Sequence, residues 1–172
     1  MTTLCIFGTV DDSIVDGPGI RFSVFTQGCK HSCPGCHNPK AQPFDGGQEI
    51  DLDELKAKIA ANPLLAGITL TGGEPFEQPQ PLLELTHWAK QRGLGVWAYS
   101  GYLFERLMLG IPSISARELA MAVDVLVDGP YIQAQASHEL KWRGSANQRV
   151  IDVPASLAAG KVVELHQVKP LQ

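Results

Sequence analysis

Arg21-Phe22-Ser23-Val24-Phe25-Thr26 runs through Gln27-Gly28 straight into Cys29-Lys30-His31-Ser32-Cys33-Pro34-Gly35-Cys36-His37. The first six residues read as a strand, with Phe22, Val24 and Thr26 alternating against Ser23 and Phe25. The last nine hold three of the chain's four cysteines. Packing alone does not crowd thiols this way. A thiolate is a soft ligand, suited to zinc or to the irons of a cluster, and Pro34-Gly35 lets the loop wrap around a metal centre.

Two metal readings fit the spacing. Cys29, Cys33, Cys36 and His37 are a possible zinc set, although structural zinc sites usually space their ligands as pairs, and neighbouring ligands are awkward to aim. Alternatively, the three thiolates hold three corners of a [4Fe–4S] cluster, for which full protein coverage needs a fourth ligand. The remaining cysteine, Cys5, lies far off in sequence. Without it one iron stays open to a substrate.

Outward from this stretch, strands and helices alternate. Leu4–Val10 is an apolar, β-prone first strand containing Cys5, and Asp11–Gly19 reads as a loop. Asn38–Gln48 reads as irregular. Asp51 and Glu54 form a capping box ahead of a helix with Leu52, Leu55 and Ile59 on one face, ending at Asn62-Pro63. Gly67–Thr71 is a strand that runs into Gly72-Gly73-Glu74-Pro75. A helix over 80–92 has Pro81 in its first turn and Gly93 at C′. Gly95–Tyr99 is a strand followed by Ser100-Gly101, and 103–109 a short helix. Ser115 and Glu118 read as a second capping box, and Val123–Val127 as a strand running into Asp128. The segment 133–148 is polar, a loop or lid. Arg149–Val153 and Lys161–Leu165 are β-prone, and the last residues a loose tail.

This alternation implies βαβ units and a mostly parallel sheet. With 172 residues the chain is short of the ~200 or more of a closed barrel, so the expected fold is α/β, an open, partial β/α barrel in one domain over 1–172, less regular over 133–172. The candidate motifs follow strand C-termini, the edge at which such sheets bind ligands. Composition sets outer bounds. A net charge of −4 gives no overall footprint for nucleic acid. No apolar run reaches the ~20 residues of a membrane span, the N-terminus lacks the regions of a signal peptide, and clustered thiols suit metal work in a reducing, cytoplasmic setting.

Further words surround the cysteines: Val15-Asp16-Gly17-Pro18-Gly19-Ile20-Arg21, Phe25-Thr26-Gln27-Gly28-Cys29 and Cys36-His37-Asn38-Pro39. With the C-x3-C-x2-C spacing they resemble the radical S-adenosylmethionine (SAM) enzymes that activate glycyl radical enzymes. The short length, the run Cys33–Asn38 and the later Trp142–Arg149 are most similar to the family that activates anaerobic ribonucleoside-triphosphate reductase. The resemblance spans about Asp11 to Ile151.

It implies a [4Fe–4S] cluster on Cys29, Cys33 and Cys36 with one open iron, and SAM chelated there. It implies SAM contacts from Gly72, Gly73 and Glu74 around the amino group, with Ser100 and Asp128 nearby. Gly35 stands where many of these enzymes carry a bulky apolar residue beside the adenine. The backbone of Gly35 and Cys36 and the side chain of His37 are the expected contacts there. Asp16, Arg143 and Arg149 are the candidate contacts to the protein substrate, the glycyl radical loop of the reductase large subunit. The electron donor would be a reduced flavodoxin-type protein. Three rivals stay open: activation of another glycyl radical enzyme of the pyruvate formate-lyase type, a non-enzymatic zinc module, and an electron carrier with Cys5 as fourth ligand.

Overall fold

A computed structural model describes residues 1–165. The expected C-terminal tail lies outside them. Among the described residues seven strands form one sheet: β1 (Thr3–Ser13), β2 (Arg21–Thr26), β3 (Gln48–Asp51), β4 (Gly67–Gly72), β5 (Gly95–Tyr99), β6 (Val125–Asp128) and β7 (Arg149–Asp152). Their spatial order is β3-β1-β2-β4-β5-β6-β7. The middle four, β2, β4, β5 and β6, run parallel. β1 and β3 at one side and β7 at the other are antiparallel. The order has two ends, so the sheet is an open, partial barrel, of mixed rather than uniformly parallel pairing.

Five helices accompany it: α1 (Leu52–Ala60), α2 (Pro79–Gln91), α3 (Phe104–Met108), α4 (Ile114–Ala122) and α5 (Val153–Ala159). Side chains alternate across a strand, so each strand serves two faces. Phe22, Val24, Ile68, Leu70, Val96, Ala98 and Leu126 bury against Leu55, Ile59, Leu82, Leu85, Leu107 and Leu119 from the helices. The opposite face carries Arg21, Ser23, Thr69, Trp97 and Tyr99. Among the described residues no helix is long and apolar enough to cross a membrane.

Arg21 closes the N-terminal end of that second face. It starts β2 in register with Gly67 and Gly95, which start β4 and β5. Its guanidinium is 2 % exposed and donates to Thr69 Oγ1 (2.8 Å), Pro18 O (3.2 Å), Ile68 O (2.7 Å) and Gly95 O (2.9 Å). All four acceptors are neutral, and burial lowers its pKa to about 10. Trp97 lies 5.7 Å beneath it and meets Trp142 edge-on at 5.8 Å.

Several boundaries differ from the sequence reading for local reasons. β1 continues past Asp11 and Asp12, which sit in a register irregularity, because pairing resumes between Ser13 and Arg21. β3 begins at the last residue of the stretch read as irregular and fills the gap up to the Asp51 cap. It is a polar edge strand on Thr3–Ile6, and edge strands with exposed Gln and Glu carry no apolar alternation to read. α4 is capped by Ser113, whose Oγ accepts from Ala116 N–H at 3.0 Å, rather than by Ser115, which lies in its first turn. α5 replaces the end of a β-prone run: Asp152 accepts from Ala155 N–H, Pro154 sits in the first turn, and Gly160 closes it at φ 67°. In 161–165 there is only an isolated bridge between Glu164 and Ile151.

Candidate functional site

The loops after β2, β4 and β5 converge on one cavity of about 170 Å³ at the C-terminal edge of the parallel strands. Cys29, Cys33 and Cys36 line it, with all four cysteines of the chain unpaired. The loop that carries them is fixed at its base. Gly28 N–H donates to Ala41 O (2.7 Å), Cys29 N–H to Gln42 O (2.9 Å), and the Gln27 amide to Lys40 O and Pro43 O. Burial pushes the Cys29 thiol up to about 11. Metal coordination reverses that, since a coordinated thiol gives up its proton. Among the described residues no three His, Cys, Asp or Glu side chains gather about a single ion, Cys29, Cys33, Cys36 and His37 included. Three thiols on the wall of one cavity suit a larger group.

Gly72 and Gly73 also line the cavity. A Cβ on Gly72 would stand 2.3 Å from Thr26 N, and one on Gly73 2.5 Å from Gly28 O. Their lack of side chains is therefore required by the backbone of β2 and the cysteine loop. It also leaves their own backbone bare toward the opening.

Glu74, 1 % exposed, is the hub of the site. Its carboxylate accepts from Phe76 N–H (3.1 Å), Ser100 Oγ (3.0 and 3.1 Å), Gly101 N–H (2.8 Å) and His31 Nε2 (2.7 Å). A carboxylate has about four acceptor positions, and these are taken. The hydrogen bond to Glu74 raises the His31 pKa against the opposing effect of burial.

Asp128 and Arg149 stand apart from the cavity. Asp128 is fully buried and accepts from Arg149 Nε (3.0 Å) and Nη2 (2.6 Å) and from Phe104 N–H (2.8 Å). The same guanidinium grips both oxygens of Glu105 at 3.0 and 2.7 Å. The two carboxylates hold the Arg149 pKa above its ordinary value. These residues tie β6, β7 and α3 together, and neither Asp128 nor Arg149 lines the cavity.

Gly35, at φ 74°, lies under the Gln133 side chain, which a Cβ there would meet at 2.7 Å. His37 packs against Tyr131 at 4.8 Å, and both line this cavity and a second one of about 600 Å³. The larger space is bounded by exposed Ile14 and Val15 and by Lys141, Trp142 and Arg143. Arg143 donates to Ala146 O and Gln148 O, which shapes its own loop. Asp16 Oδ2 accepts from Ser13 and Ser23 hydroxyls at 2.8 and 2.9 Å. Cys5 lies away from the cavity, its thiol directed to Gly46 O.

Residues that the sequence reading passed over also wall the site: Thr71, Tyr99, Tyr131 and Gln148. Thr71 and Tyr99 had a signal, since each ends a strand. Gln148 had one in the run Trp142–Arg149 that carries the family resemblance, although nothing there pointed to this cavity; Tyr131 had none, because its segment shows no periodicity.

Residues 15–151 match the model of a 4Fe-4S single cluster domain, which sets the class of the protein. Among named relatives, anaerobic ribonucleoside-triphosphate reductase-activating protein of Haemophilus influenzae is 33 % identical, over 78 % of this chain and 89 % of that one. The phage T4 protein of the same name is 34 % identical over 79 % and 86 %, and that of Escherichia coli K12 34 % over 80 % and 91 %. The chain belongs to the family of anaerobic ribonucleoside-triphosphate reductase-activating proteins, radical SAM enzymes with a 4Fe–4S cluster. A solved structure, QueE from Escherichia coli, overlaps 58 % of this chain and 53 % of that one with a TM-score of 0.46 at 16 % identity, too loose a likeness to argue from.

Proposed function

We propose that Cys29, Cys33 and Cys36 hold a [4Fe–4S] cluster with one iron open to the amino and carboxylate groups of SAM, and that the chain installs a glycyl radical on the large subunit of an anaerobic ribonucleoside-triphosphate reductase. One observation carries this reading: the three thiols share a single cavity with Gly72, Gly73 and His37 at the strand C-termini, in a chain of this family. Held by Cys29, Cys33 and Cys36 and reduced by a flavodoxin-type donor, the cluster would supply the electron for reductive cleavage of SAM to methionine and a 5′-deoxyadenosyl radical able to take a hydrogen atom from a glycine Cα.

The chain's own residues bind, orient and shield. Backbone oxygens at Gly72 and Gly73 accept from the SAM ammonium, a task the filled carboxylate of Glu74 does not share. The backbone of Gly35 and Cys36 and the ring of His37 border the adenine. No side chain acts as acid or base, because the cofactors carry the hard chemistry and the protein supplies position. The partner's glycine-bearing loop enters through the larger cavity, which shares His37 and Tyr131 with the smaller one. Arg143 meets its backbone there, and Asp16, next to the lining residue Val15, meets it at the rim. The inserted loop itself then keeps water from the reacting carbon.

The test is anaerobic electron paramagnetic resonance of the reconstituted, reduced protein with and without SAM, followed by addition of the reductase. A cluster signal that shifts with SAM, then a glycyl radical on the partner, is the expected result. Cys33→Ala should abolish both. A signal indifferent to SAM would leave an electron carrier, and one zinc per chain without iron a zinc module.

A further inference from the structure

His31 lies between the first two cysteines of the loop, yet most of its contacts are to other segments. Its Nε2 meets Glu74 Oε2 at 2.7 Å. Its ring meets Tyr102 edge-on at 4.5 Å. It presses so closely on Gly101 that a Cβ there would come within 2.5 Å of the imidazole. Tyr102 in turn donates to Glu77 at 2.5 Å, and Glu77 pairs with Lys30, the neighbour of His31, at 3.5 Å. The residues between Cys29 and Cys33 are thus tied to the segment after β4 and to the turn after β5.

A loop histidine satisfied by a nearby acid is the simpler account. It does not explain why the acid is Glu74. That residue directly follows Gly73, and its own N–H is bonded to Gly28 O at 2.8 Å, one residue before Cys29. Backbone on one side and imidazole on the other hold the same short segment against the cysteine loop.

We propose that His31 is a positioning residue: its hydrogen bond to Glu74 clasps the cysteine loop to the Gly72-Gly73-Glu74 segment and sets the spacing between the three thiols and the backbone that receives the SAM amino group. This rests on the cluster and SAM reading above. His31 lines the same cavity, and its ring nitrogen is engaged by Glu74, so it acts through Glu74 and Gly101. Without the clasp, Cys29 and Cys33 gain freedom in the metal-free chain. SAM then binds less tightly in the loaded one, because the iron and the ammonium acceptors no longer keep one distance.

The test compares wild type with His31→Ala, His31→Phe and His31→Gln. Phenylalanine keeps the ring against Tyr102 and Gly101 but donates no hydrogen bond, and glutamine restores a donor. The first readout is iodoacetamide alkylation of the metal-free protein, thiol by thiol, with the distant Cys5 as internal reference. Cys29 and Cys33 should react about tenfold faster relative to Cys5 in His31→Ala and His31→Phe, and within about twofold of wild type in His31→Gln. The second is the SAM concentration that half-shifts the resonance signal of the loaded protein, which should rise about tenfold in the first two variants and recover in the third. Wild-type values for His31→Phe in either readout overturn the clasp. A wild-type cluster that ignores SAM would sink the cofactor reading instead, and the alkylation ratios would still judge the clasp alone.

Discussion

Glu74 and Asp128 are buried acids just beyond, or at, the ends of parallel strands, and each accepts from a backbone N–H at a helical turn. They differ in what closes the rest of the carboxylate. Asp128 meets a two-pronged guanidinium, whose charge answers its own. Glu74 meets a hydroxyl, an amide and an imidazole, the first two from the loop after β5 and the third from the cysteine loop. An acid closed by arginine is satisfied within the scaffold. An acid closed by weaker donors is satisfied only when three loops are together. The same residue type, at equivalent places in the fold, serves permanence in one case and assembly in the other.

Removing the Asp128 carboxylate should therefore have the largest effect on stability. Asp128→Ala leaves Arg149 half-paired and Phe104 N–H without its acceptor, and should lower the unfolding free energy by about 3 kcal/mol. Urea denaturation of the metal-free protein measures it. A loss under about 1 kcal/mol would erase the contrast. Glu74→Gln comes next. It keeps the volume but turns one acceptor into a donor facing other donors, and should lose about 1–2 kcal/mol by the same measurement. The contrast sharpens if this variant also fails to shift its cluster signal with SAM while Asp128→Asn still does so. Glu105→Gln should have the smallest effect, under about 1 kcal/mol, because that side chain is 55 % exposed and its ion pair is screened.

Much of this was legible in the sequence, unevenly. β2, β4 and β5 announce themselves through β-branched and aromatic residues, and the cysteine loop follows the first of them. The identities of Glu74 and Asp128 were readable as candidates. Their partners were not, because His31 and Arg149 lie 43 and 21 residues away, and only the folded sheet decides which loops meet. Gly72 and Gly73 were readable as necessary, but for an incomplete reason: the backbone of Thr26 and Gly28 demands them whether or not a ligand arrives. α5 was signalled by Asp152, Pro154 and Gly160, yet the β-prone residues before it masked the signal. β3 was beyond reach, since an exposed polar edge strand looks like a loop until its neighbour is known.

Arg21 lets the sheet be seen as a vessel. With Trp97 stacked beneath it and Trp142 beyond, the guanidinium stoppers the end of the concave face opposite the cysteines. The interior is plugged at that end, so a molecule bound among the cysteines leaves by the strand C-termini or the open side of the sheet and not past Arg21.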